Sequence, residues 1–553
     1  MRVEKIWLSS YVDGIPEHID TGGFESLGHM IDQCCKEYAD KPAYANMGHQ
    51  ITFAELDDLS TRFAAWLQHK GLSKGDRVAL MMPNILQYPV ALFGVLRAGL
   101  VAVNVNPLYT KRELQHQMSD SGARAIVILE NFASTLADVI ADTPLEYVIT
   151  TQVGDLLPGL KKPLTNFVVK RVKKMVPPFS LPNVDKLPAV LKSNHTFTKP
   201  DINLQDLAFL QYTGGTTGVA KGAMLSHSNL VHNIQQSMAW LGETLDNKPQ
   251  VAITALPLYH IFSLEGNCLS LLAKGGLNVL ITNPRDFDAF VAELNKYPFT
   301  YFTGVNTLFN ALLNTPAFHE VDFSHLDITI GGGMAVQKAV ADKWQAVTGA
   351  PMIQAYGLTE TSPAAVINPF VENPEFTGAI GLPISSTEVG IFDDDGNALP
   401  VGDIGEICIR GPQVMEGYWQ RPEETEKVMM GDWLRTGDIG RMNSEGFVFI
   451  EDRKKDMILV SGFNVYPNEI EDVVAAIPGV VETAAVGKED EKSGEVVKLF
   501  VVVNDPSVDK ARIIAHCREN LTGYKVPKEV VFKDELPKTN VGKILRRELR
   551  DAG

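Results

Sequence analysis

The sequence has few cysteines and no excess of basic residues. Five cysteines are scattered over 553 residues, and only Cys34 and Cys35 are adjacent. Neither a disulfide framework nor a metal-ligand spacing is therefore present, and this usage fits a reducing cytoplasm. The formal net charge of −17 argues against a protein that binds nucleic acid, because a polyanion attracts a basic surface.

Long hydrophobic segments are missing as well. The N-terminus has no apolar signal core, and the most apolar stretch, residues 89–105, is interrupted by Arg97 well short of a membrane span. We therefore predict no transmembrane segment. With 45% hydrophobic residues the chain can still bury several cores, and its length predicts about three or four structural units.

Helical and strand-like patterns alternate along most of the chain. Residues 51–70 open with Thr52-x-x-Glu55, a capping-box spacing, and continue with apolar residues at helical intervals. Strand candidates separated by helical stretches follow at residues 78–82, 101–105, 125–129, 251–255, 276–281, 297–302 and 328–331. This alternation predicts two sheets built from parallel βαβ units, and short β-rich runs from Gly381 onward predict a small β-subdomain.

A run of charges marks the predicted domain boundary. Glu451-Asp-Arg-Lys-Lys-Asp456 contains six consecutive charged residues, which favours an exposed linker. We predict a large domain over residues 1–451, with its β-rich part over 381–451, a linker over 452–456 and a small α+β domain over 457–553. The predicted fold class is therefore α/β with a smaller C-terminal domain.

The stretch Tyr212-Thr-Gly-Gly-Thr-Thr-Gly-Val-Ala-Lys-Gly222 has the composition of a phosphate cradle. Glycine N–H groups and threonine hydroxyls donate to phosphate oxygens, and a lysine adds mobile charge. Residues 224–240 are predicted to form a helix directly after it, whose dipole would also favour an anion. The stretch is not a Walker loop, because Gly222 rather than Ser or Thr follows the lysine; a flexible surface loop is the alternative. The candidate phosphate ligands are Thr213, Gly214, Gly215, Thr216, Thr217, Gly218 and Lys221.

Further runs follow this loop in a fixed order. Taken alone, each is a weak signal: His260 would more often be a packed core histidine, and Glu360 a solvated carboxylate. Their joint occurrence by chance is negligible. The runs are Ala255-Leu-Pro-Leu-Tyr-His-Ile-Phe262, Gly331-Gly-Gly-Met334, Tyr356-Gly-Leu-Thr-Glu360, Trp433-Leu-Arg-Thr-Gly-Asp438, Asp452-Arg-Lys-Lys-Asp456, Ser461-Gly-Phe-Asn-Val-Tyr-Pro-Asn-Glu-Ile470 and Pro537-Lys-Thr-Asn-Val-Gly-Lys-Ile544.

This ordered set closely resembles the adenylate-forming acyl-CoA synthetase superfamily, and within it the bacterial long-chain fatty acid–CoA ligases, from Ile6 to Arg550. The resemblance implies two βαβ-type sheets, a β-barrel-like subdomain and a mobile C-terminal domain. It also implies activation of a long-chain fatty acid by ATP and Mg²⁺ to an acyl-adenylate, and transfer of the acyl group to coenzyme A. Ligases for medium-chain or aromatic acids and acyl-AMP ligases share this fold, and a nucleotide-regulated NTPase is a more distant alternative.

The resemblance assigns roles to single residues in the first step. It implies that the loop from Thr213 to Lys221 holds the β- and γ-phosphates. The other implied contacts are Thr359 on the α-phosphate, Glu360 on Mg²⁺, Tyr356, Gly357 and the glycines Gly331, Gly332 and Gly333 around the adenine, Asp438 and Arg453 on the ribose, and Lys543 as the adenylation lysine. From composition alone, Lys543 would be a solvated lysine in a basic tail.

The second step implies that the small domain turns about a hinge. In the family the hinge lies two positions after the ribose-binding arginine, which is Lys455 here; a plain linker is the alternative. Gly462, in the loop Ser461-Gly-Phe463, would then approach the pantetheine of coenzyme A. His260 is expected near the acyl carboxylate, either shaping the pocket or acting directly.

Two features concern the acyl chain and the membrane. Residues 301–313 can line an acyl tunnel or pack in a core, and Leu264 stands where some relatives carry a gating tryptophan, which leaves Tyr212 and Trp240 as gate candidates. Residues 161–176 form a basic amphipathic pattern that suits an anionic membrane surface, or an ordinary surface helix. The expected location is the cytoplasm, with peripheral contact to the inner membrane; the oligomeric state is left open.

Overall fold

Four β-sheets organise the described part of the chain. The structure, a computed structural model, describes residues 3–213, 220–242, 248–371, 376–461, 463–490, 493–539 and 541–551. Within these residues the sheets have nine, eight, five and five strands. The first three belong to a large N-terminal domain and the last to a smaller C-terminal domain, which confirms the predicted fold class.

The nine-stranded sheet is parallel at its centre and antiparallel at both edges. Its central strands are apolar on both faces, as buried parallel strands are. One antiparallel strand, His49–Thr52, closes one edge, and two, Ala364–Ile367 and Leu382–Pro383, close the other. In spatial order the strands are Leu382–Pro383, Ala364–Ile367, Met352–Gly357, Ile328–Gly332, Tyr301–Gly304, Val251–Thr254, Leu277–Leu280, Pro42–Asn46 and His49–Thr52.

The eight-stranded sheet has the same design. Parallel strands form most of it, and Lys221–Ser226 pairs antiparallel with Leu207–Thr213 to form a hairpin at one side. In spatial order the strands are Gly417–Tyr418, Lys221–Ser226, Leu207–Thr213, Val101–Asn104, Arg77–Met81, Ala125–Leu129, Tyr147–Thr151 and Val184–Lys186.

Two smaller sheets follow. The first contains Glu388–Phe392, Gly405–Arg410, Trp433–Met442 and Met429–Met430, with Val448–Arg453 paired to Trp433–Met442. The second contains Phe463–Val465, Ile458–Val460, Gly494–Val503 and Val480–Asp490, with Glu529–Phe532 paired to Gly494–Val503. The charged run of residues 451–456 begins inside the strand Val448–Arg453 of the first small sheet and then leads to the second. The prediction that this run is exposed is wrong at Asp452, which is fully buried because it pairs with Arg546.

Helices cover the sheets, and several begin at the caps that the sequence predicts. Thr52 and Glu55 form a capping box at the start of Phe53–His69. The longer helices are Leu27–Glu37, Phe53–His69, Gln87–Arg97, Lys111–Ser121, Lys161–Phe167, His227–Leu241, Phe287–Leu294, Asn306–Leu313, Lys338–Thr348, Pro422–Val428, Pro467–Ala475, Lys510–Asn520 and Arg546–Asp551. A further helix over residues 261–273 contains a π-helical turn, Leu264–Leu269.

One predicted helix boundary is wrong. Residues 224–240 are not helical throughout, because Lys221–Ser226 is a strand and the helix is His227–Leu241. Ser226 caps that helix by accepting a hydrogen bond from the Asn229 N–H, a signal that the sequence carries at Ser226-x-x-Asn229. The glycine-rich loop therefore joins two antiparallel strands, and the helix dipole does not act directly on it.

Among the described residues, no helix combines the length and apolarity needed to cross a bilayer. All five cysteines are free thiols with buried side chains, as the scattered spacing predicts.

Candidate active site

The ends of strands from both large sheets open into a single cleft beside the small domain. The cleft is continuous, with a volume of about 2160 Å³. Thr213, Gly332 and Tyr356 lie at or near the ends of their strands and line it. Ligands of open α/β sheets bind at such strand ends, so the fold brings together residues that lie far apart in the sequence.

A buried carboxylate lies at the centre of the cleft. Asp438, in the strand Trp433–Met442, is 3% exposed. The Tyr356 hydroxyl donates to its Oδ2 at 2.7 Å, and the Arg453 Nε lies 3.0 Å from its Oδ1. Burial and this carboxylate raise the pKa of Tyr356 well above its usual value, so the phenol stays a donor. Tyr356 and Arg453, two predicted nucleotide contacts, are thus joined to a third, Asp438, by a hydrogen bond and an ion pair.

The glycines that line the cleft occupy positions where a side chain would clash or would strain the backbone. A Cβ on Gly332 would lie 2.8 Å from the Ala355 carbonyl oxygen, and one on Gly331 would lie 2.8 Å from Val336 Cγ2. Gly333 has a φ of +75°, and its Cβ would lie 3.7 Å from Lys543 Cε. Gly357 is equally constrained, because a Cβ there would meet the Pro363 carbonyl oxygen at 1.7 Å. Any side chain would therefore displace the backbone that walls the cleft.

Thr359 and Glu360 occupy a short 3₁₀ turn, Thr359–Thr361, at the cleft wall. The Tyr418 hydroxyl donates to Glu360 Oε1 at 2.6 Å. Tyr418 also lies under Lys221, whose Nζ is 4.4 Å from the ring centroid. One tyrosine therefore positions both a candidate metal ligand and a candidate phosphate ligand.

Lys221 already has an anionic partner. Its Nζ lies 2.8 Å from Glu424 Oε2, and Lys221 and Lys427 lower the pKa of Glu424 to about 2. A phosphate would have to displace this carboxylate. Of the other predicted loop ligands, Thr213 ends its strand, and the remaining ones, Gly214, Gly215, Thr216, Thr217 and Gly218, lie outside the described residues, as does Gly462.

Lys543 reaches into the cleft from the small domain. It follows a tight turn in which the Gly542 carbonyl accepts a hydrogen bond from the Thr307 hydroxyl at 3.0 Å. Gly542 has a φ of +85°, and its Cβ would lie 2.6 Å from Thr307 Oγ1, so glycine is required there. Burial and Arg453 lower the pKa of Lys543 to about 8, although Asp438 and Glu360 favour its charged form.

His260 stands next to Lys543, and the two line one small cavity with Gly333. Burial and the Lys543 charge lower the pKa of His260 to about 3. The imidazole is therefore neutral near neutral pH. It can shape the pocket or accept a hydrogen bond, and the Phe262 N–H already donates to its Nδ1 at 3.4 Å.

The predicted linker carries a second charged cluster. Arg546 lies 3.2 Å from Asp452 and 2.7 Å from Glu471. Lys455 lines the cleft at this point, and burial lowers its pKa. Residues 452–456 are thus tied to the small domain by ion pairs and to the large domain by Arg453.

Residues 301–313, the predicted acyl-tunnel run, have two faces. Tyr301, Asn306, Thr307 and Asn310 line the cleft. Phe302 and Phe309 instead pack on Trp344, with ring centroids 5.4 and 4.7 Å away.

The two gate candidates are held by other contacts. The Trp240 N–H donates to the Asn368 carbonyl at 3.2 Å, and the Tyr212 hydroxyl donates to Asp120 at 2.7 Å. Leu264 is fully buried in the core.

Sequence reasoning missed several residues that shape the site: Asp120, Glu265, Tyr418, Glu424 and Arg546. Tyr418 and Glu424 are separated from their partners by 58 and 203 positions. No local pattern reports such contacts, because they form only when the sheets pack.

The two-domain α/β fold is that of adenylate-forming enzymes. Residues 31–419 match the AMP-binding enzyme family, and residues 469–543 match the AMP-binding enzyme C-terminal domain. The chain therefore belongs to the AMP-binding enzyme family.

Known proteins resemble the chain over its full length. A long-chain-fatty-acid–CoA ligase of Escherichia coli is 55% identical over 552 residues, covering 99% of this chain and 98% of that protein. The ATP-bound structure of MatB from Rhodopseudomonas palustris has a TM-score of 0.80 at 29% identity, covering 95% of this chain and 99% of that chain. The anthranilate CoA ligase AuaEII, in complex with anthranoyl-AMP, shares the fold with a TM-score of 0.86 at 23% identity, covering 97% and 99% of the two chains.

The pKa of Lys543 predicts an alkaline limit for the adenylation step. The ammonium form is the one that can neutralise a phosphate or carboxylate, and it is lost as pH rises through about 8. We expect kcat/KM for ATP, measured by pyrophosphate release, to fall above that pH. Lys543→Arg, whose charge persists, should move the decline to higher pH wherever activity remains. If kcat/KM declines at the same pH in Lys543→Arg, the decline is caused by the titration of another group.

Proposed function

We propose that the protein converts long-chain fatty acids to acyl-CoA in two steps, releasing AMP and pyrophosphate. The observation that carries this proposal is the position of Lys543, which enters the cleft beside His260 and within electrostatic reach of Asp438 and Glu360. The identity of 55% to the Escherichia coli long-chain-fatty-acid–CoA ligase supports the choice of acid.

In the first step a carboxylate oxygen of the fatty acid attacks the α-phosphorus of ATP, and pyrophosphate leaves. Negative charge accumulates around that phosphorus, so preorganised donors and cations contribute most. We assign Thr359 and Lys543 to the α-phosphate, and Thr213, Lys221 and the loop between them to the outer phosphates. Asp438 would accept hydrogen bonds from the ribose hydroxyls, with Arg453 reinforcing it.

Adenine would lie between Tyr356 and the run Gly331 to Gly333. The close packing at those glycines supports this assignment, because backbone without side chains leaves a flat wall. His260, being neutral, would contact the acyl carboxylate without adding charge.

Glu360 suits a Mg²⁺ ion that is held mainly by substrate. In the described part of the chain, no group of three or more carboxylate, imidazole or thiol side chains could hold a metal alone. Mg²⁺ is commonly bound by one or two carboxylates and by substrate phosphates, and Tyr418 holds Glu360 in position for this. Bound there, the ion would neutralise charge on the leaving pyrophosphate.

In the second step the thiolate of coenzyme A attacks the acyl carbonyl carbon, and AMP leaves. Lys543 occupies the cleft and has to withdraw first. We propose that residues 457–553 turn as a unit about Lys455 within the linker 452–456, leaving 1–451 in place. Phe463, beside Gly462, is exposed and stacks on Tyr524, so the small domain has an apolar surface available for the turned arrangement.

Lys543→Ala tests the two-step assignment. We expect acyl-dependent pyrophosphate release to fall by about 10²–10³-fold, because one preorganised charge is lost at the α-phosphate. Thioester formation from supplied acyl-adenylate should largely survive. The matched control is Lys533→Ala, which removes an exposed lysine of the same domain and should change neither half.

Three outcomes of these measurements would contradict the proposal. Equal loss of both half-reactions in Lys543→Ala would remove Lys543 from the first step. Accumulation of acyl-adenylate without thioester in the presence of coenzyme A would identify an acyl-AMP ligase, and ADP with phosphate as products would identify an NTPase.

We also propose that residues 161–176 dock the enzyme on the anionic inner face of the cytoplasmic membrane. The apolar side chains of this segment are largely open to solvent: Leu164, Phe167, Val172 and Met175 are 63, 58, 63 and 53% exposed. Residues 161–176 contain six lysines and arginines and no acidic residue, in a chain of net charge −17. Exposed apolar side chains flanked by cations are the features of an interfacial helix.

Several cations of the segment hold it to the protein: Lys161 donates to the Gly48 carbonyl and Lys162 to the Asp155 carbonyl. Lys170 lies 3.3 Å from the buried carboxylate of Glu130, which also pairs with Lys186 at 2.6 Å. Val169 packs on the core. Lys173 and Lys174 are exposed at the other end, where they could meet lipid phosphates.

Reversing Lys173 and Lys174 to Glu should weaken binding to phosphatidylglycerol vesicles by at least about thirtyfold at low salt, since each surface cation contributes about 1 kcal/mol. Phe167→Ser should weaken binding to the same vesicles without changing its salt dependence. The control reverses Lys343 and Lys510, two exposed lysines elsewhere, with the same change in net charge. Cosedimentation that is equal in both double variants would refute the docking site.

A further inference from the structure

The cleft contains a buried carboxyl group to which the alkyl chain of an unsubstituted fatty acid offers no hydrogen-bonding partner. Glu265 lies in the π-helical turn Leu264–Leu269 and is 3% exposed, yet it lines the same cavity as His260 and Lys543. The Ser270 hydroxyl donates to its Oε1 at 2.9 Å, and Ser237 is a second side-chain partner. In the described part of the chain its partners are hydroxyls rather than cations.

The position of Glu265 places it along the path of the acyl chain. It follows His260 by five residues on the helix over residues 261–273, which is roughly 7 Å along the axis at 1.5 Å per residue. Phe262, between them, lies against Gly332 on one side and Gly266 on the other. An acyl group whose carboxylate is at His260 would therefore pass Glu265 several methylenes further on.

Gly266 leaves the wall open at this point. A Cβ there would lie 3.8 Å from the Tyr301 hydroxyl oxygen and 3.7 Å from the Phe262 ring. The Tyr301 hydroxyl donates to the Gly266 carbonyl at 3.2 Å and keeps lone pairs that can accept. Glu265, Ser237, Ser270 and Tyr301 all line the cavity, so donors and acceptors face a common space.

Burial also favours the protonated form of the Glu265 carboxyl, which can donate a hydrogen bond. It raises the pKa of Glu265 to about 7, against the lowering effect of the two serine hydroxyls. Near neutral pH a large fraction of the molecules therefore carries a neutral carboxylic acid, which has an O–H to donate.

We propose that Glu265, Ser237, Ser270 and Tyr301 form a polar subsite that binds a hydroxyl group in the middle of the acyl chain, so that hydroxylated long-chain acids are preferred substrates. This inference rests on the proposed ligase function and specifies its substrate class. A site built to bond a hydroxyl discriminates strongly against the analogue without it, because its own buried polar groups are then left unpaired.

A packing role alone does not account for this cluster. Glu265 joins the helix His227–Leu241, through Ser237, to the helix that contains Ser270. A leucine would join the same helices without desolvating a carboxyl, and buried polar groups are replaceable by apolar ones where only packing matters. A polar ligand bound in the cavity would be a hydrogen-bonding partner for the Glu265 carboxyl and would explain why a carboxyl is buried there.

The experiment compares matched acids of equal chain length, one saturated and unsubstituted and the others carrying a single hydroxyl at successive mid-chain positions. The readout is kcat/KM from pyrophosphate release. We expect the wild type to prefer the hydroxyl at one mid-chain position. Glu265→Leu should lower the ratio of hydroxylated to unsubstituted acid at that position by about tenfold or more, with activity on the unsubstituted acid retained or raised. Glu265→Gln, which still donates and accepts, should restore most of the ratio.

The control is Leu264→Met, a volume-conserving change at a core residue next to Glu265, which should leave the ratio unchanged. A ratio that is the same in Glu265→Leu and wild type, or a loss that affects all acids equally, would overturn the subsite and leave Glu265 a packing role. Failure of the wild type to release pyrophosphate with any of the acids would instead contradict the ligase function itself.

Discussion

The buried carboxylate of Asp438 accepts a hydrogen bond from the Tyr356 hydroxyl on one oxygen and faces the Arg453 guanidinium with the other. Tyr356 belongs to the nine-stranded sheet, Asp438 to the β-subdomain and Arg453 to the strand that leads into the linker. Removing a partner from a buried charge costs on the order of 3 kcal/mol, less at Arg453, which is 40% exposed. Both contacts meet at Asp438, so a ligand bound to this carboxylate would act on the cleft and on the start of the linker together.

The contacts of the small domain with the linker and with the cleft wall are of two kinds. Near the linker, Arg546 binds Asp452 and Glu471, and burial raises the pKa of Asp452 to about 6. Near the cleft, Thr307 bonds the Gly542 carbonyl and Asn310 bonds the Val481 carbonyl. The first kind is buried and ionic and adjoins the linker, so it can persist through a rotation. The second kind is neutral and accessible to water, and water can replace it at little cost.

The sequence allowed the fold class and the ordered motifs to be predicted, because both depend on local patterns. The capping box at Thr52 and Glu55 and the apolar strand runs are encoded within a few residues. The strand Lys221–Ser226 was missed because it forms only by pairing with Leu207–Thr213, and its burial does not alternate along the sequence, so the local pattern suits helix or strand equally. Glu265 was missed for a different reason: in a helical stretch a lone glutamate suggests a solvated face, and its burial follows only from the packing of neighbouring helices.

Two charged groups of the cleft, Lys221 and Glu360, have protein partners before any substrate binds. Lys221 pairs with Glu424, and Glu360 accepts from Tyr418. Because both side chains of this ion pair are open to solvent, the pair stabilises the protein very little, whereas hydrogen bonds between a cation and a phosphate are among the stronger ones. A phosphate can therefore displace Glu424 at small cost. In the proposed cycle pyrophosphate leaves before coenzyme A enters, and Glu424 can then pair again with Lys221, so that the emptied phosphate site does not keep an unpaired cation while the small domain turns.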